Sequence, residues 1–225
     1  MKVTFIGQAG YYVETDRAAF FVDPYLSDSI GETNPEKHRR IPVREEYFQK
    51  PADFLLFTHE HQDHYDPETV EKLMKDRVVT TISPMNTWKK LRALSSDAGN
   101  NHVLLNHLSE WSEKGIRFRA VRAFHSDETA VGFLVLAEGK TLYFTGDTLY
   151  NERIFADIDR PVDAVFLPVN GHGNNMNAED ALRFAERIRA RQVFPNHFGM
   201  LDDVCKMEFP AKSSIVLSAY ETVVL

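Results

Sequence analysis

His59, Glu60, His61, Gln62, Asp63 and His64 run consecutively, so three imidazoles and two carboxylates crowd into six residues. In an extended segment alternate side chains project to the same side. His59, His61 and Asp63 therefore converge, while Glu60 and Gln62 face away. His64 joins the group once the chain bends toward Asp66. That bend is expected, because Asp66 is placed to cap a helix, Pro67 suits the first helical position and Glu68 suits the positive end of the helix dipole. Neutral imidazoles and carboxylates are the donors that bind zinc and similar divalent ions. Polar groups packed this densely need a compensating charge, and a cation supplies it.

The elements that must position this segment can be read from the pattern of apolar runs. Residues 54–58 form a buried-strand run directly before His59, and other strand-like runs occupy 2–6, 11–15, 19–22, 78–82, 103–105, 116–123, 130–137, 141–145, 164–168 and 192–195. A last strand pair is expected at 215–217 and 223–225. Helices are expected after Asp66, with Val70, Leu73 and Met74 on one face; after Ser83-Pro84, through Trp88, Leu91 and Leu94; and after Asn177, with Ala181, Leu182, Ala185 and Ile188. Strands and helices are mixed, with hairpin-like pairs in both halves. That order predicts an α+β fold, sheets with helices on their outer faces, as a single domain over 1–225. A long polar connection at 27–51 carries Pro35, Pro42 and Pro51 and the cluster Lys37, His38, Arg39, Arg40 and Arg44. Connections of this length are commonly lids or binding loops.

Composition narrows the function. The 225 residues carry 26 basic and 33 acidic side chains, a net charge of −7, which argues against a general nucleic-acid binder. A lone cysteine, Cys205, excludes an internal disulfide or a multi-cysteine zinc cage and is expected to be a small packing residue. No apolar run approaches the ~18 residues of a membrane span, and the opening residues are too short for a signal peptide, so a cytoplasmic protein without membrane partners is expected.

With the H-x-H-x-D-H segment placed after a strand, the chain resembles the metallo-β-lactamase superfamily, whose fold is a four-layered αββα sandwich with a metal site at one edge. Further elements of the family pattern stand at the ends of expected strands: Asp23 in FFVD, His125 after AVRAF, Asp147 in FTGDT and His197 in FPNHFG. The resemblance implies two divalent ions, zinc first, with manganese and iron as alternatives. His59, His61 and His125 would hold one; Asp63, His64 and His197 the other; Asp147 would bridge. Asp23 would orient a ligand imidazole from behind, and Asp63 would hold the attacking hydroxide. His38, His102 and His107 have no such support and are expected at the surface.

Within the superfamily, DPYLSDS, FHSD and LPVNGHGNNMNAEDA are similar to the ascorbate-6-phosphate lactonase-like branch. Gln8 in GQAG stands where that branch often has a histidine, at a position outside the core ligand set. The resemblance implies a hydrolase that uses a metal-bound hydroxide on a small lactone or other ester, phosphorylated or not. His172 and Asn170 in PVNGHGNN are candidate substrate contacts, and Arg39 and Arg40 are candidate phosphate grips. A phosphodiesterase or RNase-type nuclease, and a non-catalytic metal-binding protein, remain as alternatives. The expected partner is a small-molecule substrate rather than nucleic acid, with a homo-oligomer open.

Overall fold

Along residues 19–22 and 54–57 both faces of the strand are apolar. Phe20, Val22, Phe54 and Leu56 enter one core, while Ala19, Phe21, Leu55 and Phe57 enter another. Burial on both faces requires a covering layer on each side. In the computed structural model, which describes residues 1–94, 99–198 and 209–225, those layers are present. The strands in chain order are β1 (Lys2–Gly7), β2 (Gly10–Glu14), β3 (Ala19–Val22), β4 (Phe54–Leu56), β5 (Thr80–Ser83) and β6 (Asn101–Leu104). After them come β7 (Glu110–Glu113), β8 (Ile116–Arg122), β9 (Val131–Ala137), β10 (Lys140–Phe144), β11 (Ala164–Pro168), β12 (Gln192–Asn196) and β13 (Thr222–Val224). One sheet has the order β13-β1-β2-β3-β4-β5-β6 and the other β12-β11-β10-β9-β8-β7.

The inner faces meet in an aromatic core that includes Phe20, Phe54 and Tyr11 from the first sheet and Phe118, Phe144 and Phe166 from the second. Helices α2 (Pro67–Met74) and α3 (Met85–Leu94) cover the first sheet through Val70, Leu73 and Leu91. Helix α4 (Ala178–Ile188) covers the second through Ala181, Phe184 and Ala185. The result is the expected α+β sandwich of four layers. Helix α2 begins as expected, the Asp66 carboxylate accepting from the Thr69 N–H at 2.9 Å. Asn177 caps α4 in the same way, accepting from the Asp180 N–H at 2.9 Å.

Three expectations need correction. The 27–51 connection is partly ordered, with a short helix α1 (Ser29–Thr33), two 3₁₀ turns and Tyr47 and Phe48 buried against the first sheet. Residues 110–113 form a strand that the polar pattern EWSE hides, because β7 is an edge strand exposed on one face and held by its pairing to β8. Residues 215–217 form no strand; this stretch is tied to β12 by a single bridge between Val193 and Ser214 and by the Ile215 N–H on the Val193 carbonyl. Cys205 lies outside the described residues. Among those described, no helix is long and apolar enough to cross a membrane.

Strand direction decides where chemistry can collect. In the first sheet β1 and the parallel run β3 to β6 point one way, so Gln8, Asp23 and the 59–64 segment emerge at one edge. In the second sheet β8, β10, β11 and β12 also share a direction, which brings His125, Asp147, Asn170 and His197 to a common edge. Sites in such sheets form beyond the carboxyl ends of strands.

Candidate metal centre

The chain leaves β4 at Leu56, and Asp23 governs the path of residues 58–64. Asp23 is buried, with φ of +43°, a left-handed turn that directs its carboxylate back toward that segment. It accepts from the Thr58 N–H at 2.7 Å, the Thr58 hydroxyl at 2.6 Å and His64 Nδ1–H at 2.9 Å. The Thr58 hydroxyl, having spent its proton on Asp23, accepts from His59 Nδ1 at 3.1 Å. One carboxylate thus fixes two imidazoles, His64 directly and His59 through a hydroxyl, and turns Nε2 of each toward the centre. His64 Nε2 faces the Asp147 carboxylate at 3.2 Å, whereas His59 Nε2 is buried without a hydrogen-bond partner. Buried polar atoms are rarely left so.

The loops of the second sheet complete the group. Asp147 can approach because Gly146, with φ of +60°, packs directly on Thr58; a Cβ there would lie 2.6 Å from the Thr58 Cβ. The Asp147 carboxylate lies 3.2 Å from His64 Nε2, 3.3 Å from His197 Nε2 and 4.0 Å from His125 Nε2. His125 Nδ1 faces the Asn174 carbonyl at 3.3 Å, turning Nε2 to within 3.1 Å of His61 Nδ1. Asp63 Oδ2 lies 3.2 Å from His197 Nε2 and 3.8 Å from His64 Nε2. Three sets of donors therefore stand within a metal ion's reach: His59, His61 and His125; His59, His64 and Asp147; Asp63, His64 and His197. The orphaned His59 Nε2 and the mixed imidazole and carboxylate donors fit a divalent cation.

Charge divides the centre in two. Burial drives His59 well toward the neutral form and lowers His125 as well, with the neighbouring imidazoles adding to the effect and Asp147 opposing it. Burial works the same way on His64 and His197, but Asp147 and Asp63 outweigh it, raising His64 well above the usual range and His197 to about 9. Asp63 and Asp147 are held far below the ordinary carboxylate range despite burial, because His64 and His197 face them.

Some residues gain roles that their spacing did not show. Asp127, in FHSD, accepts from the Glu60 N–H at 3.2 Å and from Asn86 and Thr129, which ties the 59–64 segment to the loop carrying His125. Asn175 donates to Asp147 Oδ2 at 2.8 Å. The amide of Gln8 lies 2.8 Å from Asp63 Oδ2. All three stand in stretches quoted for the family resemblance, Gln8 in GQAG, Asp127 in FHSD and Asn175 in LPVNGHGNNMNAEDA, but the resemblance assigned them no role.

Other expected contacts are placed differently. Arg39 is not directed at the cleft: its guanidinium donates to the carbonyls of Ile41 at 2.9 Å, Ile6 at 2.6 Å and Tyr25. Three carbonyls engage its guanidinium, so Arg39 braces the connection rather than gripping a phosphate. Arg40 is exposed and lies outside the cavity wall. Lys37, from the same cluster, lines the cavity of about 230 Å³ over the centre, as do His172, Asn170 and Ser126. Asn170 also stands with its amide 2.8 Å from His197 Nδ1. Of the three histidines expected at the surface, His38 and His107 are exposed and paired with Asp28 and Asp157. His102 is half-buried instead, on β6, with Nδ1 2.8 Å from the Thr81 hydroxyl.

A four-layer sandwich with histidine and aspartate donors at one edge defines a class. Residues 2–197 match the Beta-lactamase superfamily domain, and the chain belongs to that family. A UPF0173 metal-dependent hydrolase of Bacillus pumilus is 31% identical over 216 residues, covering 88% of this chain and 86% of the relative. Another from Pyrococcus furiosus is 27% identical over 213 residues, with 88% and 84% covered. The fold of Igni18, a metallo hydrolase of Ignicoccus hospitalis, is similar at a TM-score of 0.77 and 24% identity, covering 99% and 97% of the two chains. The protein is a metal-dependent hydrolase of the metallo-β-lactamase superfamily.

Proposed function

We propose that this hydrolase opens a small lactone or cleaves another small ester bearing an anionic group, with two divalent cations at its centre. His59, His61 and His125 would hold one cation and Asp63, His64 and His197 the other, with Asp147 between the two sets. Zinc, manganese and iron all suit these donors. The observation that carries the substrate reading is the cavity. At about 230 Å³ it falls below the ~300–1,000 Å³ of drug-sized pockets, and Lys37 is the one lysine or arginine in its described wall. A single ammonium suits one carboxylate or phosphate; a polynucleotide backbone would call for a row of cations. The resemblance of FHSD and LPVNGHGNNMNAEDA to the lactonase-like branch supports the same class.

Bound divalent cations supply Lewis acidity, making water a nucleophile near neutral pH and polarising the acyl oxygen. The chain's own groups do the rest. Asp63 accepts a hydrogen bond from the attacking water and orients it. Asp23 and Thr58 keep the His64 and His59 rings from rotating. Lys37 holds the anionic group of the substrate, and His172, Asn170 and Ser126 shape the wall that receives the remainder. Metal analysis together with hydrolysis assays on phosphorylated lactones, unphosphorylated lactones and bis-(p-nitrophenyl) phosphate tests this reading. Two ions per chain and turnover of the anionic lactones are expected, with Lys37→Ala raising KM by about tenfold or more. Cleavage of the phosphodiester alone would overturn the ester reading.

A further inference from the structure

Gln8 is 3% exposed, on the tight turn between β1 and β2, and its φ of +56° lies where glycine is favoured. A large side chain is thus accommodated at a strained position, and strain of this kind collects at functional sites. The turn is latched to the centre: the Gln8 carbonyl accepts from the His197 N–H at 2.9 Å. One end of the side-chain amide, Nε2, lies 2.8 Å from Asp63 Oδ2 and 3.1 Å from His197 Nε2. The other end, Oε1, is buried and has no hydrogen-bond partner.

These distances have a meaning beyond hydrogen bonding. Donors about 2.1 Å from an octahedral cation stand about 3.0 Å from their neighbours. The tip of the Gln8 amide therefore keeps ligand-to-ligand spacing from two donors of the carboxylate-rich half. In the structure the NH₂ end faces Asp63 and donates to it. An NH₂ group cannot bind a cation, whereas the amide oxygen can. A half-turn of the amide exchanges two ends of nearly equal size and brings the orphaned Oε1 to the same position.

We propose that Gln8 is a metal ligand, its Oε1 joining Asp63, His64 and His197 around the second cation. This rests on the two-cation reading above. With oxygen from Gln8, Asp63 and Asp147 beside two imidazoles, that position is richer in oxygen than the His59, His61 and His125 position. It accordingly favours manganese, which takes carboxylate and carbonyl oxygen readily, whereas the other position suits zinc.

The experiment is calorimetric titration of metal-free protein with Mn²⁺ and, separately, Zn²⁺, for the wild type, Gln8→Leu and Gln8→Glu. Gln8→Leu should bind one Mn²⁺ as the wild type does and the other about tenfold or more weakly; the unchanged first ion certifies the fold. Its Zn²⁺ affinities should change less. Gln8→Glu, which offers an oxygen at the same reach, should bind the second Mn²⁺ at least as tightly as the wild type. Were the amide only an N–H donor to Asp63, Gln8→Glu would repel that carboxylate and be as weak as Gln8→Leu, which overturns the assignment. Two Mn²⁺ on the wild type with Gln8→Leu unchanged overturns the role of Gln8 alone. A single ion on the wild type overturns the two-cation reading and this assignment with it.

Discussion

The His59, His61 and His125 group and the Asp63, His64, Asp147 and His197 group are neighbours, yet they are made ready in opposite ways. His59 and His125 are kept neutral by burial, so their lone pairs are available. In the second group, Asp147 and Asp63 raise His64 and His197 and are themselves lowered, so imidazoles and carboxylates face one another as opposite charges. The two halves even share a ring wall, the His59 and His64 centroids being 4.1 Å apart. Desolvation, with the neighbouring imidazoles, prepares a soft, nitrogen-rich position, whereas the oxygen-rich position sets its carboxylates against imidazoles.

The sharpest break in this contrast should come from Asp147, which touches both halves. Asp147→Ala is expected to abolish hydrolysis, remove one bound ion by metal analysis, and lower the melting temperature, because His64 and His197 lose a buried counterion. Asp23 comes next. Asp23→Asn should weaken binding in both halves by about 10–100-fold, since the carboxylate orients His64 and, through Thr58, His59. Thr58→Val should confine a smaller loss to the nitrogen-rich half; equal weakening of both ions, read by titration, would break the distinction.

Two smaller effects separate the centre from its look-alikes. Arg39→Ala should cost about 2–3 kcal/mol in chemical denaturation while leaving the KM of an anionic ester unchanged, the reverse of Lys37→Ala. Asp157, with Arg122 at 2.7 Å and His107 at 2.7 Å, also combines imidazole and carboxylate, but as an ordinary ion pair. Burial would raise its carboxyl, and the bonds from Arg122 and His107 outweigh that, holding it below the usual range. Its stabilisation is therefore complete above about pH 4, the ordinary carboxylate value, and fades as pH falls through the lower folded value. Asp157→Asn should remove that acid-side dependence in melting curves without altering bound metal.

Adjacency made part of the centre legible in the sequence. His59 to His64 lie within one short segment, and Asp66-Pro67 announces its helix, so neither needed the tertiary fold to be visible. Asp23, His125, Asp147 and His197 became legible through a family pattern in register with strand ends. Arg39 was misread because a guanidinium consumed by three carbonyls looks, in sequence, the same as a free one. Lys37 differs from it only in where the folded connection leaves each side chain. Strand β7 escaped because its alternation is polar at an edge, and Gln8 was set outside the ligand group because only the fold brings its amide to Asp63.

The donors of the centre come from both sheets: 59–64 lie beyond β4, while His125, Asp147 and His197 lie beyond β8, β10 and β12. A bound ion is consequently a rivet across the seam of the sandwich, and prying the two sheets apart means surrendering it. Occupancy and mechanical integrity become one property, since an ion at about a thousand times its dissociation constant adds about 4 kcal/mol to the native state. A cell short of such ions would hold a hydrolase that is not merely idle but easier to unfold, and so easier to clear.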